Sequence, residues 1–255
     1  MARAGCSLSV LEPASFTLRR GGQLIAMAVT HVDDLLLARM PGCSIDEVMG
    51  TAGQDFEWKW SEKKFTFRGR EIEEDKDGFK VGMRQYANSL KGVTIPRERR
   101  EKLEDPVTEA EIKELWRCSG EIGWLGRQGR LDMAQLAGEL QRASGSPCVA
   151  DLVKCNVAVA EAKKGMDATI RYPRNLKVSS LAVGAAVDAG HANGPANEEI
   201  QKYRSCGGHI VMLTDKDILS DLMVPIAILD WKSGMTQRVC RSTFSSRGEP
   251  SSGSG

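Results

Sequence analysis

The sequence predicts an α+β protein in which blocks of strands and helices follow one another along the chain. Short apolar or alternating runs fill residues 23–83, which is typical of strands and turns. Apolar residues at helical spacing fill residues 107–165, and three further apolar or alternating runs lie between residues 179 and 234. Segregated strands and helices of this kind indicate α+β architecture.

Composition bounds the classes of protein to be considered. The chain has 255 residues, 41% hydrophobic and 27% charged, and a net charge of only +1, so any nucleic-acid binding must depend on local patches. Its seven cysteines form no CxxC pair, which favours a reducing compartment over a disulfide framework or a zinc ribbon. The sequence has no long apolar run and no signal-peptide pattern, so we expect a soluble cytoplasmic or nuclear protein without a membrane partner. The oligomeric state is not fixed by the sequence.

The first predicted element is a hairpin over residues 23–38, where QLIAMAVT and LLLA flank the turn HVDD. Ser44 and Glu47 have the spacing of a capping box and predict a helix start. FEWKW (56–60) alternates, which favours core packing of Trp58 and Trp60 over base stacking.

A second hairpin is predicted after these residues. KKFTFRGREIEED (63–75) is expected to form one strand, DKDG (75–78) a turn, and FKVGM (79–83) the return strand. RQYANSL then has a helical pattern.

The middle of the chain is predicted to be a charged linker followed by helices. Residues 91–106 are charged and bracketed by prolines, so we interpret them as a linker or exposed loop. Thr108 and Glu111 form a second capping box at the start of a helix. Asp132 is expected to cap the next helix, and a third helix ends at Gly165.

The chain ends with three predicted strands and a short tail. SSLAVGAAVDAG, RSCGGHIVMLTD and VPIAILDWKSG are the strands. The last six residues, 250–255, are of low complexity and are expected to be disordered.

Asp33 and Asp34 are the first candidate site. Two carboxylates on a turn between apolar strands suit a hard divalent cation, which offsets their mutual repulsion. The alternative is an exposed polar turn without a ligand.

The wider pattern resembles the copia-type retrotransposon Pol polyprotein. HVDDLLL matches the family's VDD hairpin, and FTFRGREI followed by GMRQY matches its next segments. WRCSGEIGWLGRQGRLD resembles the helical segment after them, and VDAGHAN, RSCGGHIVML and WKSGMTQ with RSTFSS resemble the family's ribonuclease H domain. These motifs occur in the family's order over most of residues 8–249.

The resemblance implies a partial reverse transcriptase palm over residues 8–92 and a helical thumb and connection over 93–175. A truncated ribonuclease H-like domain with a mixed sheet is implied over 179–249. The activities implied for the intact parent are RNA-directed DNA synthesis and cleavage of the RNA strand in hybrids, both dependent on Mg²⁺. RNA–DNA template-primers or hybrids are the implied partners.

The family's catalytic carboxylates match this chain only in part. Asp33 and Asp34 match two of the three palm ligands, and the third belongs to an upstream segment that this chain lacks. Asp188 matches the first ribonuclease H aspartate and Glu249 the second carboxylate, although Arg247 and Gly248 depart from the motif there. The family's remaining aspartates would lie beyond residue 255. Uncovered strands in this domain predict an exposed apolar face and marginal stability.

Other candidates are weighed against simpler alternatives. The basic run Arg97, Arg99, Arg100 and Lys102 either contacts phosphate or is a solvated loop, because glutamates are interleaved with it.

Histidines and a CGGH motif are the remaining candidates. His31 either touches substrate or is an ordinary turn residue. Cys206, His209 and His191 match no standard zinc spacing, so we interpret their placement as structural or incidental.

We therefore expect a catalytically incomplete fragment of a reverse transcriptase with ribonuclease H. A non-catalytic nucleic-acid-binding or interaction protein derived from such an element is the first alternative. An unrelated small hydrolase with a metal at Asp33 and Asp34 is the second.

Overall fold

The computed structural model describes residues 6–10, 12–50, 57–142, 145–190 and 206–235. It separates into two compact units, Met1–Arg68 and Gly69–Gly255. The described residues form three antiparallel sheets and six α-helices, which confirms the predicted α+β class. The boundary between the units falls inside the segment predicted as the palm.

The first unit contains a four-stranded antiparallel sheet with the order β1–β2–β3–β4. Its elements are β1 (Ser7–Leu8), β2 (Ser15–Arg20), β3 (Gln23–His31), β4 (Asp34–Arg39), α1 (Ile45–Met49) and β5 (Lys64–Phe67). The β3–β4 pair is the predicted hairpin. Its register pairs His31 with Asp34 and Ala28 with Leu37, so the sequence prediction of this element is confirmed.

A small apolar cluster holds the first unit together. Leu18, Ala26 and Val48 are buried in it beside two cysteine thiols. Ser44 caps α1 as predicted, accepting a hydrogen bond of 3.0 Å from the backbone N–H of Glu47, whose carboxylate pairs with Arg20.

The tryptophan-containing segment 57–60 has no regular secondary structure. The Trp58 and Trp60 rings stack with centroids 5.9 Å apart. Phe56, the third member of the predicted alternation, lies outside the described residues.

The single strand predicted over residues 63–75 is wrong. Strand β5 ends at Phe67 and the next strand begins at Arg70. Arg68 and Gly69 between them have positive φ angles of 51° and 74°, which is the backbone conformation of a turn and not of a strand. The Arg-Gly pair is the local signal for this turn.

The second unit alternates strands, helices and strands. Its elements are β6 (Arg70–Asp75), β7 (Gly78–Gly82), α2 (Arg84–Ser89), α3 (Arg97–Arg100), α4 (Glu109–Gln128), α5 (Ala134–Arg142), α6 (Val149–Lys164), β8 (Thr169–Pro173), β9 (Leu181–Gly190), β10 (Cys206–Asp215) and β11 (Ala227–Met235). Strand β7 lies between β6 and β8, antiparallel to both. The predicted turn at 75–78 is confirmed. Gly78, with φ 143°, packs so closely on the Tyr172 carbonyl that a Cβ does not fit.

Helices α4, α5 and α6 enclose the main hydrophobic core. Leu115, Ile122, Leu125 and Leu152 are fully buried in it. The predicted capping box of α4 is complete, because Thr108 and Glu111 exchange hydrogen bonds of 2.8 and 3.3 Å. None of the described helices is both long enough and apolar enough to cross a membrane.

The segment 91–106 is packed rather than a free linker. Val93 and Ile95 are buried in the main core. The Asn156 side chain forms two hydrogen bonds with the backbone of Val93, as a neighbouring strand would. Its amide donates to the Val93 carbonyl at 2.9 Å, and its oxygen accepts from the Val93 N–H at 2.7 Å. A distant asparagine therefore anchors a segment whose own sequence predicts a loop.

The cap predicted at Asp132 is also wrong. Asp132 lies inside a 3₁₀ turn, Leu131–Met133, and its two carboxylate oxygens accept hydrogen bonds of 2.8 and 2.7 Å from Arg130. The Arg130 side chain is fully buried and donates to the Ala162 carbonyl at 3.0 Å, in the last turn of α6. Asp132 thus neutralises a buried charge, and Arg130 supplies the cation that a helix C-terminus favours.

The three C-terminal strands pair in the order β11–β10–β9. The sequence predicted a mixed sheet, whereas these described strands are all antiparallel. One face is fixed to the helices, because the Trp231 indole N–H donates to the Gly126 carbonyl at 2.7 Å. Val183 points to the opposite face, by its register, and is 71% exposed.

Candidate functional site

The hairpin places both predicted palm aspartates at its exposed tip. Val32 and Asp33 form the two-residue turn, and Asp34 begins strand β4. Val32 has a φ of 55° and is 93% exposed. A β-branched residue rarely adopts this conformation, so the turn holds a strained backbone next to two solvent-facing carboxylates.

His31 is the aromatic neighbour of this turn. Its ring lies edge-on to Phe67, with centroids 6.4 Å apart and an interplanar angle of 68°. The side chain is otherwise exposed. This placement matches the simpler of the two interpretations, an ordinary turn residue.

The aspartate pair does not amount to the two-metal site of the family it resembles. Such sites bridge two ions with several carboxylates. Within the described residues, no group of three or more His, Cys, Asp or Glu side chains is arranged to hold a metal ion. Asp33 and Asp34 by themselves offer two adjacent carboxylates, so no catalytic step through Mg²⁺ follows from this part of the chain.

Asp188 lies in a cleft of about 380 Å³ between the C-terminal sheet and the start of α5. Its register neighbours are Gly208 on β10 and, one strand further, Ser233 on β11. Directly opposite residues point to the same face of a sheet, so the three define one row on the helix-facing side. Asp132 and Gln135 line the cleft from the helical side. Glu249, the second predicted ribonuclease H carboxylate, lies outside the described residues.

The predicted basic patch divides into structural and exposed residues. Arg99 donates to the Glu111 carboxylate at 2.8 and 3.1 Å and to the Pro106 carbonyl at 2.8 Å. Arg100 donates to the Ile95 carbonyl at 3.1 Å. Arg97, Arg100 and Lys102 are all exposed, and Arg97 lies 3.8 Å from the Glu101 carboxylate.

The Arg99–Glu111 pair perturbs both ionisable groups. The hydrogen bond from Arg99 is the main cause that lowers the pKa of Glu111 to about 2, and the Thr108 backbone adds to it. The same bond raises the pKa of Arg99. Arg99 therefore ties α3 to the capped start of α4, a structural role that the basic composition alone does not reveal.

The CGGH cysteine and histidine have protein partners of their own. The Cys206 thiol accepts a hydrogen bond of 3.0 Å from Arg142, and His209 lies 3.1 Å from the Asp230 carboxylate. His191 lies outside the described residues. The structural interpretation of Cys206 and His209 agrees with these contacts.

Helix α4 carries an exposed aromatic surface that the sequence analysis missed. Trp116 is 56% exposed and Trp124 is 42% exposed, and between them Gly120 faces open space. Lys113 and Arg127 are also exposed and lie on the same side of α4, one before the two tryptophans and one after them. We call these five residues the tryptophan face. Their spacing of three and four residues is the signal that a helical projection would have found.

Charge around the tryptophan face is partly compensated. Arg117, one residue beyond Trp116, is held by Glu114 at 2.8 Å and by Glu121 at 2.7 Å. Lys113 and Arg127 remain as the cations in line with the two rings. Exposed aromatic rings flanked by cations can stack on bases and approach phosphates.

Comparison of the chain with protein-family models, with curated proteins and with solved structures gives no match.

Proposed function

We propose that this chain is a catalytically incomplete part of a copia-type reverse transcriptase with ribonuclease H, which contacts RNA–DNA template-primers or hybrids without completing either reaction. The observation that carries this proposal is the β3–β4 hairpin, whose tip presents Asp33 and Asp34 to solvent. The hairpin is the element that the VDD motif requires for a palm. The antiparallel strands β9–β11, with Asp188 on the first of them, support the ribonuclease H half of the proposal.

Incomplete catalysis is proposed because the ligand sets are partial. Asp33 and Asp34 have no third carboxylate grouped with them among the described residues, and the same is true of Asp188. Two carboxylates without a third cannot bridge two ions in the manner that phosphoryl transfer in this family requires.

The catalytic part is tested with the full chain, a primed RNA template, deoxynucleotides and Mg²⁺. We expect no primer extension and no cleavage of the RNA strand in a hybrid. Extension that is present in the wild-type chain and absent in Asp33→Ala would overturn the proposal, as would hybrid cleavage that depends on Asp188.

Contact with the unpaired template strand of a template-primer is supported by the tryptophan face, because unpaired bases can stack on exposed aromatic rings. Trp116 and Trp124 are eight residues apart, which is about 12 Å along a helix axis. Gly120 between them leaves the helix backbone accessible to a close approach. Stacking of one base on an aromatic ring contributes about 1–3 kcal/mol. Two such rings and two cations are therefore sufficient for measurable affinity at low salt.

Binding of a labelled RNA–DNA template-primer with a single-stranded template overhang measures this contact. We expect salt-dependent binding that falls at least tenfold in the Trp116→Ala/Trp124→Ala double variant. Trp60→Ala is the matched control, because Trp60 is also partly exposed, at 39%, but lies outside α4. An equal loss in the control, or no binding at low salt, would contradict the assignment.

The exposed cations of the basic segment give a second comparison. Arg97→Ala with Lys102→Ala removes solvent-facing charge, and we expect a smaller salt dependence of binding if this segment approaches phosphate. Arg99→Ala is unsuitable for that purpose because it also breaks the Glu111 contact.

A further inference from the structure

Strand β9 lies at one edge of the C-terminal sheet, and its outer side is open. It pairs with β10 along its whole length, from Leu181 to Gly190, and no strand among the described residues pairs with its other side. Helix α5 packs on β11, at the opposite edge of the sheet, where Gly138 approaches the Ser233 carbonyl. The helix therefore contacts the sheet on the side away from the open edge.

The open side of β9 presents backbone groups that can pair with another strand. In an antiparallel strand, every second residue points its N–H and C=O groups toward the same side, so half of the ten residues of β9 direct these groups outward. Proteins usually protect such an edge with lysine, proline or a bulge. The sequence of β9, LAVGAAVDAG, has no lysine, arginine or proline, and its register with β10 is unbroken.

The side chains of β9 also allow the close approach of another strand. Val183 and Val187 are 71% and 45% exposed and lie on the face away from the helices. Between them, Gly184, Ala185 and Ala186 are small, so no bulky side chain stands beside the middle of the strand. Aliphatic side chains on adjacent strands stabilise the pairing by contact with each other.

The strand is complementary to a second copy of itself. Two antiparallel copies pair only when outward-pointing residues face each other, which places one residue opposite its own counterpart on a two-fold axis. With Ala185 on the axis, residues 181–189 pair in full, and Val183 of each copy lies opposite Val187 of the other. Asp188, the single charged residue of the strand, then faces an alanine and not its own counterpart.

We propose that this chain forms a two-fold symmetric homodimer through β9, in which the C-terminal sheet of one copy continues into that of the other. The contact supplies about eight backbone hydrogen bonds between the two strands. The symmetry satisfies both open edges at once, so the assembly closes at two copies. This interface does not depend on nucleic-acid binding and lies apart from the tryptophan face.

Sedimentation equilibrium of the full chain at micromolar concentrations tests the proposal, and we expect a monomer–dimer equilibrium. Val183→Lys/Val187→Lys places like charges opposite each other at both valine pairs and should weaken dimerisation at least tenfold. Both positions are exposed, so the variant is expected to fold, which circular dichroism verifies. The control is Leu103→Lys/Val157→Lys, which adds the same charge at exposed positions outside β9 and should dimerise like the wild type.

An exchange of charge tests the register of the two strands. Val183→Lys/Val187→Glu places each new lysine opposite the new glutamate of the second copy. At low salt this variant should dimerise at least tenfold more tightly than Val183→Lys/Val187→Lys. Equal affinities of the two variants would refute the proposed register.

Hydrogen exchange shows what covers the open edge. The outward backbone amides of β9 should become more protected as the protein concentration rises. Protection that does not change with concentration would show that another part of the same chain covers the edge, and would overturn the proposal. A monomer at every concentration would overturn it too, as would larger open-ended assemblies or full dimerisation of Val183→Lys/Val187→Lys.

Discussion

Arg130 is the residue on which the packing of the helical module depends most visibly. Its side chain is 1% exposed, yet it carries a charge into the core. Asp132 and the Ala162 carbonyl hold its guanidinium, so one arginine joins the turn before α5 to the end of α6. A buried charge is tolerated only with such partners.

Asp132→Ala is therefore expected to destabilise the protein. The Arg130 side chain is 1% exposed and the Asp132 side chain is 51% exposed, so removal of this carboxylate leaves a buried charge without its partner and costs about 2 kcal/mol. Urea unfolding followed by circular dichroism measures this loss. Asp167→Ala is the matched control, because Asp167 and its partner Arg84 are 69% and 62% exposed, and surface pairs contribute less than about 1 kcal/mol. Similar losses in both variants would show that Arg130 finds compensation elsewhere.

At the scale of elements, α4 has the best-defined start in the described chain. Its capping box is complete, and Glu111 in that box also receives the Arg99 guanidinium. The one carboxylate therefore stabilises a helix end and anchors α3. These combined contacts explain why the pKa of Glu111 is lowered to about 2.

Glu111 should contribute a measurable part of the acid sensitivity of the protein. Its folded pKa is about 2 and its unfolded pKa is about 4.3, so the unfolded chain binds more protons between these values. The stabilisation is fully present above about pH 4.5 and is lost as the pH falls toward 2. Glu111→Gln is expected to lower the free energy of unfolding at pH 6 by about 1–3 kcal/mol. Near pH 3 the free energies of unfolding of wild type and variant should differ by less, because the wild type has lost part of the contribution of Glu111.

Urea titrations at pH 6 and pH 3 provide the measurement. Glu109→Gln is the control in the same first turn of α4, at an exposed position outside the capping box. If the free energies of unfolding of wild type and Glu111→Gln differ by the same amount at both pH values, the Arg99–Glu111 bond is not a source of acid sensitivity.

The elements that were predicted correctly carry their signals locally. The β3–β4 hairpin, the Thr108–Glu111 box and the three C-terminal strands are each encoded by neighbouring residues. The errors occur where distant residues decide. The predicted linker is packed because Asn156 forms hydrogen bonds with the backbone of Val93. Asp132 does not cap a helix because its carboxylate accepts hydrogen bonds from Arg130.

The candidate sites follow the same division. The exposed position of Asp33 and Asp34 follows from the hairpin, which the sequence predicts. The cleft beside Asp188 could not be predicted, because it depends on how α5 approaches the sheet. Exposure of Trp116 and Trp124 depends likewise on which face of α4 is buried. Local sequence patterns predict helices and strands. A site between two elements cannot be predicted in this way, because it depends on how the elements pack against each other.

On the scale of the whole molecule, the two compact units differ in how much apolar surface they bury. The core around Leu125 and Leu152 in Gly69–Gly255 is extensive. The cluster around Val48 in Met1–Arg68 is small and includes two cysteines. Less buried apolar area means less stabilisation, so the first unit should be the weaker one.

Thermal unfolding is therefore expected to deviate from two-state behaviour, with Met1–Arg68 melting first. Val48 is 1% exposed, so Val48→Ala should lower the free energy of unfolding of Met1–Arg68 by about 1–2 kcal/mol. The transition of the second unit should stay unchanged. Leu125→Ala, in the main core, should lower the free energy of unfolding of Gly69–Gly255 by about 3 kcal/mol. Differential scanning calorimetry separates the two events. A single transition shifted by both variants would show that the units unfold as one cooperative body, and the exposed Asp33–Asp34 hairpin would then share the stability of the larger core.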